Sequence, residues 1–335
     1  MRLQPQPALA TPAPVTASAM DPARRARRGL WLGVLGMLIF AGTIPMTRLA
    51  SGSSQAPQLP AVFVAIGRAG VAGLLSLVYL LVTRAPRPHR RHWTMLLVTV
   101  LGNVLGWPLL LGLAVRRVDA MHAAVITGLM PLATAAIGAL LLHQRPSRGF
   151  WGFALLGAAL VVAFAAWSGA GLPQAGDLLL LGAVLASSLG YISGMRVSTG
   201  PAGLTPEQTI SWVLVLALPI TLPVLVTQWP TVPVHAAAWG GFGYVAVLSM
   251  WMGFFAWYRG LHWGGMLRVS QVQLLQPFVA ILLSVPLLGE RLRPATLGFS
   301  IAVMACVYLG RRMSAGAPND IRSHSSAIPT SKVLP

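Results

Sequence analysis

The chain has 335 residues, of which 56% are hydrophobic and 9% charged, with a formal net charge of +18. Soluble domains carry about 25% charged residues, and here the apolar residues come in runs of about 20, the length of a bilayer-spanning helix. A soluble fold is therefore excluded, as is a transmembrane barrel, whose strands are short and alternate strictly.

In chain order, residues 1–28 are Pro- and Ala-rich and then basic. They read as a disordered cytoplasmic N-terminus rather than a signal peptide, because the apolar segment that follows completes a repeat. Ten spans follow, at about 29–48, 60–83, 93–114, 120–142, 149–168, 177–197, 207–228, 236–258, 264–288 and 295–311. Residues 312–335 are polar and Ser-rich and read as a disordered cytoplasmic tail. The expected fold is an all-α polytopic membrane protein.

The arginines set the orientation. With the N-terminus inside, the inner side collects Arg24, Arg25, Arg27, Arg28, Arg84, Arg87, Arg90, Arg91, Arg145, Arg148, Arg196, Arg259, Arg311 and Arg312. The outer side holds Arg48, Arg116, Arg117, Arg291 and Arg293. The bias puts both termini in the cytoplasm of a protein integral to the cytoplasmic membrane, with Arg116 and Arg117 against the rule. Anionic inner-leaflet lipid is the expected partner of this charge, and nucleic acid is not. Lys332 is the single lysine, so no Walker A loop is present in the body of the chain. The single cysteine, Cys306, allows no internal disulfide.

The sequence repeats itself. Leu129–Met130–Pro131 recurs 146 residues on as Leu275–Gln276–Pro277, and without a gap Arg145 meets Arg291 and Gly152–Phe153 meets Gly298–Phe299. Two five-span units result, 29–168 and 176–311. Five is odd, so the second unit enters the membrane inverted. Such a pair can rock about a shared midplane site.

At these residues the chain resembles the EamA-type branch of the drug/metabolite transporter superfamily. The resemblance covers nearly all of residues 30–311. It rests on Ala123–Ala124–Val125–Ile126 with Met130–Pro131–Leu132, and on Leu287–Leu288–Gly289–Glu290–Arg291 followed by Leu297–Gly298–Phe299. Arg68 and Gly176–Asp177 also fit the pattern. Gln144 stands where Glu290 stands in the second unit, a departure from the family. The resemblance implies substrate movement across the cytoplasmic membrane, often export.

Candidate pathway residues follow from polarity inside the spans. Pro131 and Pro277 each interrupt a long apolar segment. Inside a helix each would free the carbonyl four residues earlier, at Thr127 and Gln273. In lipid such carbonyls need protein or a wet cavity, so these four residues are expected near the midplane, lining a site or merely kinking helices. Gln271, Gln273 and Gln276 crowd one span; Gln273 and Gln276 share a face and either line the pathway or bond neighbouring helices. Arg68 is an intramembrane cation; it either binds a substrate anion or is tied to carbonyls. Asn103 lies mid-span, one turn from Trp107 and Pro108, and Trp251 is deep enough for a cavity wall. Trp257 and Tyr258 read as interfacial anchors.

No acidic residue is mid-span. Asp119 and Asp177 read as N-caps, which leaves a boundary carboxylate or His122 for any proton coupling. The spacing of Gly29/Gly33 and Gly102/Gly106 predicts close packing inside the bundle. No metal site, cofactor motif or hydrolase signature is present. The expected function is a secondary carrier that exports a small neutral or zwitterionic metabolite, such as an amino acid, across the cytoplasmic membrane by alternating access. The alternatives are an integral-membrane enzyme on a lipid or lipid-linked substrate, or a non-transporting sensor or scaffold. Nothing in the sequence fixes the oligomeric state.

Overall fold

A computed structural model describes residues 21–141, 146–168, 174–199, 204–264, 269 and 272–315. Gln144, Arg145 and Gln271, with most of both terminal segments, lie outside the described residues. Among the described residues nine helices are long and apolar enough to cross a membrane. They are α1 (Pro22–Ser51), α2 (Phe63–Val82), α3 (Arg90–Ala114), α4 (Ala120–Leu141), α5 (Arg148–Trp167), α6 (Ala175–Ser198), α7 (Pro206–Thr227), α8 (Ala236–Gly264) and α10 (Pro294–Met313). Between the last two, α9 (Gln273–Leu288) is a shorter apolar helix. The protein is all-α and polytopic.

Local chemistry moves several edges from where the sequence puts them. Asp21 accepts from the Ala23 amide at 3.2 Å, and Pro22 opens α1 where a missing N–H costs nothing. The basic stretch Arg24–Arg28 is thus helical, which corrects the expectation of disorder through residue 28. Helix α8 continues past 258 to Gly264 because its last turns lie directly on α1. A Cβ on Gly29 would sit 2.1 Å from the Gly264 nitrogen, and one on Gly260 2.6 Å from the Gly33 nitrogen. Gly102 does the same against Gly190 and Ala186 of α6, with 2.3 Å to the Ala186 carbonyl oxygen. The four-residue glycine spacings are therefore backbone contacts within the bundle, as the sequence predicts. Trp257 is buried beside Gly36 and edge-on to Phe40 rather than anchoring at an interface, a correction forced by this same α1–α8 seam. Thr205 and Gln208 form a capping box at the start of α7.

The helices have two ends. At one end Arg25 approaches His262 at 3.5 Å, the Trp212 indole donates to the Pro86 carbonyl at 3.0 Å, and Ser147 donates to the Met313 carbonyl at 3.0 Å. This is the N-terminal face. At the other, distal face Ser54 donates to the Arg116 carbonyl at 2.8 Å, and the His235 amide donates to Gln58 at 3.2 Å. Ser147 thus lies beside the C-terminal end of α10, while residues 291–293 precede its N-terminal end, about 30 Å away along that helix.

The main helix pairings are α1 with α8, α3 with α6, α2 with α7, α4 with α9, α5 with α10, α1 with α9 and α4 with α6. Shifting every helix number by five turns this set into itself. The α1–α8 seam becomes α6–α3, α1–α9 becomes α6–α4, and the remaining three pairs map onto themselves.

Three stretches are π-helical: Phe63–Gly67 in α2, Val100–Gly106 in α3 and Tyr244–Met252 in α8. Wide turns of this kind cluster at functional sites. The last two contain Asn103 and Ser249, which are 146 positions apart.

Candidate functional site

Helices α4 and α9 are both broken, and the breaks meet. The first part of α4 ends at Thr127 and the second begins at Met130. The Leu129 amide bonds to the Ile126 carbonyl in the tighter pattern of a turn. In α9 a 3₁₀ turn, Gln273–Leu275, leads into a helix starting at Gln276. Pro131 and Pro277 sit in the first turn of each new helix, where the missing N–H has no helical partner to lose. This corrects the expectation of prolines inside continuous helices: the chain breaks before each proline. A Cβ on Gly128 would lie 3.3 Å from the Pro277 ring, so the two breaks touch.

Beside this crossing lies a cavity of about 50 Å³. Arg68, Asn103, Gln273 and Gln276 line it, four of the eight residues expected on the pathway. The other four do not. Thr127 is buried with its hydroxyl on the Ala123 carbonyl at 2.7 Å, and Pro131 and Pro277 brace the crossing. The Trp251 ring packs against Phe255 at 5.1 Å, and its indole N–H is buried without an acceptor. The π-helical turn beneath Trp251 gives Ser249, Met250 and Phe254 the cavity instead.

The cavity has two matching polar clasps. Ser187 of α6 donates to Asn103 of α3 at 3.2 Å, while Thr43 of α1 and Ser249 of α8 share a hydrogen bond of 2.7 Å. The five-helix shift exchanges these helix pairs. Met130 and Gln276, again 146 apart, both face the cavity. Sequence reasoning missed Thr43, Ser187 and Ser249. The repeat offset could have found Ser249 from Asn103, but small hydroxyls within apolar spans give no signal alone.

Arg68 follows directly on the π-helical turn of α2. It is 2% exposed, and among the described residues no hydrogen bond or ion pair reaches its guanidinium; Nε is fully buried and unpartnered. A buried charge without a partner is costly. The rest of the wall is amide and hydroxyl, aromatic (Phe40, Trp107, Tyr191 and Phe254) and aliphatic or thioether (Ile44, Met130 and Met250). Among the described residues no carboxylate lines this cavity.

At the distal face a second cavity of about 900 Å³ opens. Arg48 on its wall donates to the Val115 and Val118 carbonyls. Asp119 stands at the N-cap of α4 but its side chain does not cap. Glu290, from the α9–α10 loop, does so instead: its oxygens accept from the Ala120 amide at 2.7 Å and the Met121 amide at 2.9 Å. Burial pushes the Glu290 carboxyl above its ordinary value, against the pull of those two N–H groups. Asp177 is not an N-cap either. It lies in the first turn of α6, buried, and reaches back to the Gln174 amide at 2.7 Å while its other oxygen holds His122 at 2.5 Å. Among the described residues no cluster of His, Cys, Asp or Glu could hold a metal ion.

A polytopic helical bundle with paired broken helices crossing at a polar central cavity has the build of a membrane carrier. The EamA-like transporter family model matches the chain twice, at residues 27–167 and 174–310. The chain belongs to that family, and so to the drug/metabolite transporters. The "Uncharacterized transporter YdeK" of Bacillus subtilis (strain 168) is 40% identical over 289 residues, which cover 85% of this chain and 97% of that protein. A solved crystal structure of a protein is similar with a TM-score of 0.58 at 16% identity, over 86% of this chain and 97% of that one. At that identity the likeness is one of fold.

Proposed function

We propose that the protein is a secondary carrier that exports a small zwitterionic metabolite, such as an amino acid, across the cytoplasmic membrane by alternating access. Arg68 carries this reading: it is a buried cation at the central cavity without a partner among the described residues, and it supplies the charge that a substrate carboxylate would meet. Gln273 and Gln276 offer amide acceptors to an ammonium group, and the aromatic wall suits an apolar side chain.

The two units lie inverted across the bilayer, with both termini and the N-terminal face in the cytoplasm beside anionic lipid. The opposite placement of residues 147 and 291–293 about α10 and the five-shift symmetry of the helix pairings support this. In that orientation the wide distal cavity faces outside. The central cavity, about 50 Å³, has room for only a few waters, each needing about 10–15 Å³, so a metabolite enters only when the helices part.

The test is flux of labelled amino acids into inverted vesicles. Arg68→Gln lowers uptake at least about tenfold, since one charge-assisted hydrogen bond is worth that much. Gln273→Ala and Gln276→Leu lower it at unchanged membrane abundance. Wild-type flux in all three variants would remove these residues from the pathway. Absence of flux for every amino acid tested, with lipid turnover dependent on the protein, would overturn the carrier reading.

A further inference from the structure

We propose that the distal cavity is a second, outer binding site for a small soluble anion bearing a carboxylate or phosphate, with Arg291 and Arg293 as its capturing groups. As a station on the transport route the site rests on the carrier reading. As a binding site it does not, and the test below reads binding alone.

Cationic residues are depleted on the outer side of membrane proteins, yet Arg48, Arg117, Arg291 and Arg293 all line this one cavity of about 900 Å³. Two of them are accounted for within the protein. Arg48 holds the Val115 and Val118 carbonyls, and Arg117 holds the Leu113 carbonyl at 3.0 Å. The guanidinium groups of Arg291 and Arg293 make no hydrogen bond or ion pair among the described residues, so no structural duty explains them.

The remaining charge on the wall does not cancel them. Two carboxylates line the cavity, Asp119 and Glu290, and both oxygens of Glu290 are held by the α4 amides. His122 is bound to Asp177, and His235 adds a further imidazole facing the cavity. Four arginines against two carboxylates leave a positive field, and a recessed wall of low dielectric focuses it. Helices α4, α6, α8 and α10 also begin at this face, which places the positive ends of their dipoles around the rim.

The cavity lies over the central one on shared helices. Helix α1 gives Ile44 to the inner cavity and Arg48, one turn on, to the outer. Helix α4 gives Met130 and Met121, and α9 gives Gln276 and Leu287, in the same order. An anion held by Arg291 and Arg293 therefore stands at the head of the three helices that lead to Arg68.

The experiment is calorimetric titration of the full chain in phosphatidylcholine nanodiscs with benzoate, inorganic phosphate and, as cationic control, benzylamine. The anions bind and benzylamine does not; added sodium chloride weakens binding. Arg291→Gln with Arg293→Gln weakens it at least about tenfold. These are exposed loop positions, so the unliganded melting temperature stays at the wild-type value. Arg148→Gln, an exposed position at the opposite face, leaves the affinity within about twofold. Unchanged affinity in the double variant, equal binding of benzylamine, or loss of binding in Arg148→Gln alone overturns the proposal. Displacement of benzoate and phosphate by phosphatidylglycerol in the disc assigns the site to lipid headgroups and overturns the soluble ligand.

Discussion

At the scale of single residues, what matters is which polar atoms have partners. Asn103, Ser187, Thr43 and Ser249 are matched to one another, so they hold the cavity's shape. Arg68 has no partner among the described residues, and in the proposed function it is the group left for a substrate carboxylate. The sequence marks Arg68, Asn103, Gln273 and Gln276 because a cation or amide in an apolar span is conspicuous. It could not show that Trp251 turns away, since a π-helical turn shifts every later side chain around the axis without a compositional sign. It also misassigned the caps. Glu290 reaches α4 from 170 positions away, which no local pattern encodes. That contact gives a pH prediction. Burial raises the Glu290 carboxyl above its ordinary 4.5, so the folded chain holds this proton to higher pH than the unfolded chain does. The stability it contributes is complete below the ordinary value and is lost as pH rises through the raised one. Thermal unfolding in detergent across that window shows a falling melting temperature, and Glu290→Gln flattens the slope. A slope unaltered by Glu290→Gln assigns it to another group.

Elements tell a different part of the story. Both prolines were legible, and so was their pairing through the repeat, but their effect was not. A proline can kink a helix or start one, and the choice depends on the residues before it: Gly128–Leu129 in one copy, Gln273–Leu275 in the other. The glycine seam between α1 and α8 was legible from α1 alone. Of its partners, Gly260 fell where the sequence suggested a loop and Gly264 where it suggested the start of the next span. That seam is dense, with no room for even one methyl group at Gly260, where a Cβ would stand 2.6 Å from the Gly33 backbone. Gly260→Leu forces the helices apart at a cost of about 1–3 kcal/mol, read as a lower melting temperature in detergent. An equal change at Gly240, where a Cβ meets nothing within 4 Å, leaves it unaltered.

For the whole molecule, the duplicated pattern was the strongest signal in the chain, and the helix pairings carry it into three dimensions. The duplication was legible because both copies kept their breaks in register. The two cavities were not, because their walls are drawn from six or more helices that only packing brings together. The native Cys306 is buried, which makes labelling simple. A cysteine at Ser147 reacts with a membrane-impermeant thiol reagent in inverted vesicles only, and one at Leu292 in right-side-out vesicles only. Reaction of both from one side would mean that the two units are parallel.

The distal arginines also bear on how the chain is made. In the proposed orientation each of them stands outside and pulls against the signal that orients the nascent protein, so the counterweight has to come early. Arg24, Arg25, Arg27 and Arg28 supply it, fixed on the first helical turns rather than trailing loosely. In the orientation proposed above, neutralising those four would let ribosomes deliver a mixture of upright and upside-down copies, which makes the cluster ballast for biogenesis.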